Sequence, residues 1–298
     1  MSGEIDAPWV RLELTSRAEA ARLVRSMSSA AGEALGFDPE LLSDVNTAVS
    51  EACNNVILHA YGNRPGPMSV ELRAEPGAVV VRVCDQGAGM PETLPEHDDL
   101  QVGITLISAL AERTEFINVP DGGTEVRMWF RAPIGHVGHA RPAEERSTDG
   151  SGAWQPAERS SDGSGAWQAE LHSGLTGDVV LTVSPVTLLA PLLGRIGRAF
   201  APSAGFSLQR CYDVFHVSDA LGAHAQQAAD STSISVALGA RERRLEFAVA
   251  PLRVGASAHL EQAASPRDAL TALTEDVMFV TGDGHETLRV SMRDHLRA

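Results

Sequence analysis

The chain has 298 residues, enough for two domains that each bury a core, and an ordinary apolar content of 43 %. Its formal charge of −15 excludes a nucleic-acid binder, which would need clustered cations for phosphate contacts. All 24 basic residues are arginine, so lysine Schiff-base chemistry and a Walker-type P-loop are excluded as well.

Cys53, Cys84 and Cys211 lie far apart in apolar stretches, with neither metal-ligand nor disulfide spacing, so a reducing cytoplasm is expected. The start of the chain has no basic, apolar leader pattern, and no run is long enough to span a bilayer. Three zones follow: a periodic apolar domain over 1–132, a Gly/Ser-rich linker over 133–174, and a second periodic domain over 175–298. The linker carries a thirteen-residue tandem repeat, Asp149–Gln155 recurring as Asp162–Gln168, which reads as slippage in a flexible segment. His136 and His139 there have no further ligand nearby, which argues against a metal site.

In the first domain, Trp9–Leu14 alternates like a strand and Arg17–Leu35 has helical spacing. Asp38-Pro39 supplies an N-cap and an N1 proline for a helix expected from Glu40 to about Tyr61. Met68–Ala74 and Ala78–Cys84 read as a hairpin, Asp85–Gly89 as a glycine-rich turn and Pro91–Asp99 as an acidic loop. A helix over Gly103–Arg113 and strands over Thr114–Val119 and Thr124–Arg131, joined at Asp121-Gly122-Gly123, complete the domain. The fold class expected is α+β, a two-layer α/β sandwich with helices on one face of an antiparallel sheet.

Glu51, Asn55 and His59 recur every fourth residue and so share a helix face. Spacing alone favours a solvated polar face. The same residues suit phosphate chemistry: Asn55 offers a neutral oxygen to Mg²⁺, and Glu51 can accept a proton from an attacking hydroxyl. Downstream, Cys84-Asp-Gln-Gly-Ala-Gly-Met90 places an acid before two glycines, and Asp85 is an acceptor suited to an exocyclic amine. Gln101-Val-Gly-Ile-Thr-Leu-Ile107 opens a helix whose free N–H groups favour phosphate, and Gly122-Gly123-Thr124 begins the last strand with bare backbone and a hydroxyl.

In that order these segments resemble the GHKL (Bergerat) ATPase superfamily, in its anti-sigma-factor serine kinase branch. The resemblance spans Trp9–Arg131 and is most specific in Ser50–Tyr61 and Gly123–Arg127. It implies ATP and Mg²⁺ as cofactors, Glu51 as general base and Asn55 as the magnesium ligand. It places the nucleotide among Asn55, His59, Asp85, Gly87, Gly89, Gly103, Thr105, Gly123 and Thr124, beneath a lid over Pro91–Leu100. It implies two partners, a STAS-domain anti-anti-sigma protein phosphorylated on serine and a sigma factor that is sequestered, with a non-catalytic ATP-binding regulator as the alternative. One departure stands at Gln101, where the family pattern has the first glycine of Gly-x-Gly.

The second domain matches the first in order: Gly36-Phe37 with Gly205-Phe206, Asp44-Val45 with Asp213-Val214, Asp121-Gly122 with Asp283-Gly284. The functional positions are missing from it, since Glu51 falls on Ala220 (or Asp219 if the helix slips by one residue), Asn55 on His224 or Ala223, Asp85 near Pro251 and Thr124 on Glu286. The expectation is a tandem duplication whose second copy, 175–298, binds no nucleotide. The branch acts through dimers, so both a homodimer and an intramolecular pseudo-dimer are open.

Overall fold

The computed structural model describes residues 7–62, 64–91, 99–120, 122–132 and 175–295. The expected linker with its repeat, most of the acidic loop, and Asp121 lie outside the described residues. In the first half the elements are β1 (Trp9–Thr15), α1 (Ala20–Leu35), α2 (Pro39–Asn55), β2 (Pro67–Glu75), β3 (Ala78–Asp85), α3 (Asp99–Leu110), β4 (Arg113–Asn118) and β5 (Thr124–Arg131). The second half has β6 (Val179–Ser184), α4 (Leu189–Phe200), α5 (Leu208–Ala228), β7 (Ile234–Arg241), β8 (Arg244–Leu252), α6 (Ala256–Gln262), α7 (Ala264–Leu273), β9 (Asp276–Gly282) and β10 (His285–Arg293).

Period-two alternation decides which side of the sheet is buried. Val10, Leu12 and Leu14 of β1 face the helices and are buried, while Arg11 and Glu13 between them form an ion pair on the other face. The same phase in β3 buries Val79, Val81 and Val83 and delivers Asp85, at the strand's end, to the helix side. Every helix of the described residues contributes buried side chains to one continuous core against that face. On the open face Arg82 and Arg127 converge on Glu125, fixing the β3–β5 register beside Asp85.

The ten strands form one sheet in the order β4-β5-β3-β2-β1-β6-β7-β8-β10-β9, all neighbours antiparallel. The expected α+β architecture is therefore present, but as one sheet shared by both halves, joined where β1 pairs with β6. Reading outward from that joint, the order in the first half (β1, β2, β3, β5, β4) is mirrored in the second (β6, β7, β8, β10, β9).

Three boundaries differ from the sequence reading. The α1 helix begins at Ala20, because the chain turns through Ser16 and Arg17 before it. The α3 helix begins at Asp99 and not at Gly103, so Gly103 lies inside it. The long helix expected to reach Tyr61 is α-helical only to Asn55 and continues as a π-helical turn, Val56–Ala60. That turn leaves the Ala60 carbonyl free to accept the Ala88 N–H at 2.9 Å. π-turns within helices recur at functional sites.

Candidate functional site

A cavity of about 270 Å³ opens between the C-terminal end of α2 with its π-turn, the turn after β3, and the start of β5. Asn55 and His59 line it from the helix side, Asp85, Gly89 and Met90 from the turn, and Thr124 from β5. Its size and largely apolar wall, with a few convergent polar groups, suit a small-molecule site.

Asp85 sits at the floor, 7 % exposed. Its carboxylate accepts the Gly87 N–H at 2.7 Å and the Thr124 N–H. Burial raises its pKa above the usual carboxylate range, and these two donors offset only part of that rise. An acceptor so held is oriented toward the cavity and is costly to leave without a donor.

Two of the glycines permit close approach. A Cβ on Gly87 would lie 2.2 Å from the Ala60 carbonyl oxygen, and one on Gly123 (φ +97°) would lie 2.1 Å from that of Asp85. Only glycine fits there, and the result is a turn pressed against both the π-turn and β5. Gly103 does something else. Its missing side chain lets α3 pack on Asn55, where a Cβ would stand 2.9 Å from the amide oxygen.

The structure thus brings together Asn55, His59, Asp85, Gly89 and Thr124 around the cavity, with Gly87, Gly103 and Gly123 shaping its walls. Glu51 lies one turn before Asn55 on α2, half-buried and outside the cavity lining. Thr105 is exposed on α3 and donates to the Gln101 carbonyl at 2.8 Å, so its hydroxyl is turned to its own helix. Gln101 itself lies in regular α-helix, a conformation that needs no glycine.

Two positioning side chains went unread in the sequence. The Tyr61 hydroxyl donates to the Pro67 carbonyl at 2.5 Å and accepts the Gln86 N–H at 2.7 Å. The Asn118 amide accepts the Met90 N–H at 2.7 Å and donates to the Met90 carbonyl at 3.1 Å. Together they fix both ends of the Gln86–Met90 turn. The nearby cysteines offer no nucleophile, since burial pushes the Cys53 thiol up to about 12 and the Cys84 thiol up to about 11.

Residues 14–130 match the profile of the histidine kinase-like ATPase domain. An anti-sigma F factor of Clostridium botulinum (strain Eklund 17B / Type B) is 30 % identical over 105 residues, covering 31 % of this chain and 73 % of the relative. The chain belongs to the anti-sigma-factor family of histidine-kinase-like ATPases. Anti-sigma F factors of Caldanaerobacter subterraneus subsp. tengcongensis and Geobacillus stearothermophilus are 27 % and 28 % identical, over 40 % of this chain and about 90 % of each relative. A solved chain with the RsbU and RsbW domains of a Mycobacterium tuberculosis protein aligns at 23 % identity and a TM-score of 0.34, over 42 % of this chain and 32 % of that one. The profile match covers the half that holds the cavity and stops at residue 130, so membership of this ATPase family describes the first half. No helix among the described residues is long and apolar enough to cross a membrane.

Proposed function

We propose that the chain is a cytoplasmic ATP-dependent serine protein kinase and anti-sigma factor. It phosphorylates a STAS-domain anti-anti-sigma protein and sequesters a sigma factor. The observation that carries this reading is the convergence of Asn55 and Asp85 on one cavity, with Glu51 a turn farther along the same helix.

The residues present fit magnesium and ATP. Among the described residues no three His, Cys, Asp or Glu side chains cluster to hold a metal by themselves. That suits a cation carried in by phosphates and keeping most of its waters, with Asn55 as a single protein ligand. Bound magnesium would neutralise charge developing on the transferred phosphoryl group. Asp85 would accept from the adenine amino group, the turn fixed by Tyr61 and Asn118 would wall the base, and His59 would stand at the cavity's mouth. Glu51, set outside the cavity, would take the proton of a serine hydroxyl presented by the partner.

The place of Glu51 outside the cavity lining also favours a second reading, an ATP-binding regulator without turnover. Transfer of label from ATP to a STAS-domain protein separates the two. The kinase reading expects label on serine from the wild type, reduced about 10²–10⁴-fold in Glu51→Ala, with nucleotide affinity retained. Tight ATP binding without any label from the wild type would establish the regulator instead.

A further inference from the structure

We propose that residues 175–295 take the place of a second subunit, making the chain a covalently joined pseudo-dimer that binds nucleotide in its first half alone. The single-nucleotide clause rests on the ATP reading above; the pairing of the halves does not.

The joint has the geometry of an isologous interface, in which a residue i meets j of the other copy and j meets i about a two-fold axis. Along β1 and β6, Leu12 faces Leu181, Val10 faces Val183 and Leu14 faces Val179. The sequence offset of 169 makes Leu181 the counterpart of Leu12, Val183 of Leu14 and Val179 of Val10. The contacts are therefore reciprocal, position 10 facing the counterpart of position 14 and position 14 that of position 10, and the axis passes between the two leucines. Helices obey the same relation, with α1 and α4 packing on each other across the joint.

Local structure repeats at the same offset. Gly36 and Gly205 are both left-handed (φ 75° and 70°). Asp38 and Ser207 both cap the following helix, accepting the N–H groups of Leu41 and Arg210. Strand registers agree too. Ser69 pairs with Cys84 as Ser235 pairs with Ala250, which sets Pro251 at the place of Asp85.

The symmetry fails where the first half carries its site. The α5 helix runs unbroken to Ala228, with no π-turn. His224 replaces Asn55, and Glu286 replaces Thr124. Glu286 is buried, and its carboxylate accepts the Gly255 and Ser257 N–H groups at 2.9 and 3.1 Å. Proline at the Asp85 position has no side-chain acceptor for an exocyclic amine, and the Glu286 carboxylate is engaged with its own backbone. The second half keeps the surfaces that pair and has lost the groups that bind.

The occupant of the β1 edge follows from this. A strand with a buried apolar face and an open backbone edge is a template for pairing, and here the chain's own β6 fills it. The ion pair of Arg195 with Glu33 spans the same joint, with Nη1 at 2.8 Å from Oε1.

The test uses the full chain with a protease site placed between residues 133 and 174, cut after folding. Native mass spectrometry should find the two fragments still together at one to one, and equilibrium dialysis should find one nucleotide per pair. Separation of the fragments, self-pairing of the first fragment, or two nucleotides per pair would overturn the proposal. Fragments that stay paired but bind no nucleotide would support the pseudo-dimer and overturn the ATP reading.

Discussion

Asp85→Asn tests the proposed acceptor of the adenine amino group. The wild-type carboxylate spends acceptor capacity on the Gly87 and Thr124 N–H groups and keeps the remainder for the cavity. A hydrogen bond to a charged acceptor is worth about 1.5–3 kcal/mol net. At about 1.4 kcal/mol per tenfold, its loss should weaken ATP binding roughly ten- to hundredfold.

The fold should respond differently. Burial raises the pKa of Asp85, so its charge is a cost to the native state at neutral pH. A carboxyl whose folded pKa lies above its unfolded value contributes stability below the unfolded pKa and loses it as pH rises through the folded one. Asparagine escapes that cost while giving up an acceptor, so thermal stability at pH 7.5 should shift little. Displacement of a fluorescent nucleotide, run from pH 8 to pH 5, reads both effects. Wild-type affinity should fall toward the acid end, beginning above the ordinary carboxylate range, and Asp85→Asn should show no such fall. Unchanged affinity in a folded variant, or the same acid profile in both proteins, would refute the assignment of Asp85 to the base.

Gly123→Ala should destabilise by at least ~3 kcal/mol in urea melts, since a left-handed alanine alone costs about 1–2 kcal/mol and its Cβ also meets the Asp85 carbonyl. Gly77→Ala, at φ +79° with open space around it, should lose only the backbone part; equal losses would mean that the contact at Gly123 is relieved by local movement. In the second half His224 is buried with neither ring nitrogen hydrogen-bonded, and burial, reinforced by His259 and opposed by Glu286, lowers its pKa. A histidine depressed in this way gives stability above its unfolded pKa, near 6.5, that is lost as pH falls. His224→Leu should therefore match or exceed wild-type stability at pH 7.5 and gain on it at pH 5.5, and parallel urea-melt midpoints at the two pH values would contradict this.

Much of the site was legible because two periodicities place it. Period two along β3 and β5 sends Asp85 and Thr124 to the helix side, and the four-residue recurrence brings together Asn55, at the end of α2, and His59, in the π-turn that follows. Tyr61 and Asn118 were not legible, because their roles consist of hydrogen bonds to backbone far away in sequence. The π-turn was invisible for another reason. Its residues have the composition of helix, and only the Ala88 N–H, arriving from the turn after β3, claims the carbonyl it releases. The start of α3 at Asp99 was legible but unread, since Asp98 followed three positions later by Gln101 is a helix-start pattern in the sequence. Internal matching gave the expectation of a duplication, but nothing in it pointed to a ladder shared by β1 and β6. A strand edge carries no label for its partner.

That pairing gives the second half a structural use to the first. The β1 strand lies at the joint between the halves, and α1, which packs on it, also supports α2 and so the helix that carries Asn55. Left open, that edge would fray or recruit another chain, and either would loosen the support beneath the site. A tethered partner closes it at an effective concentration set by chain connection instead of by expression level. On the proposed reading, Glu286 and Pro251 at the places of Thr124 and Asp85 mean that closure adds no second nucleotide site. At the cavity, Asn55, Asp85 and Thr124 stand against His224, Pro251 and Glu286, whereas Leu12 of the joint and Gly36 at the helix end are kept as Leu181 and Gly205. Such a division is expected when one half acts on a ligand and the other acts on its neighbour.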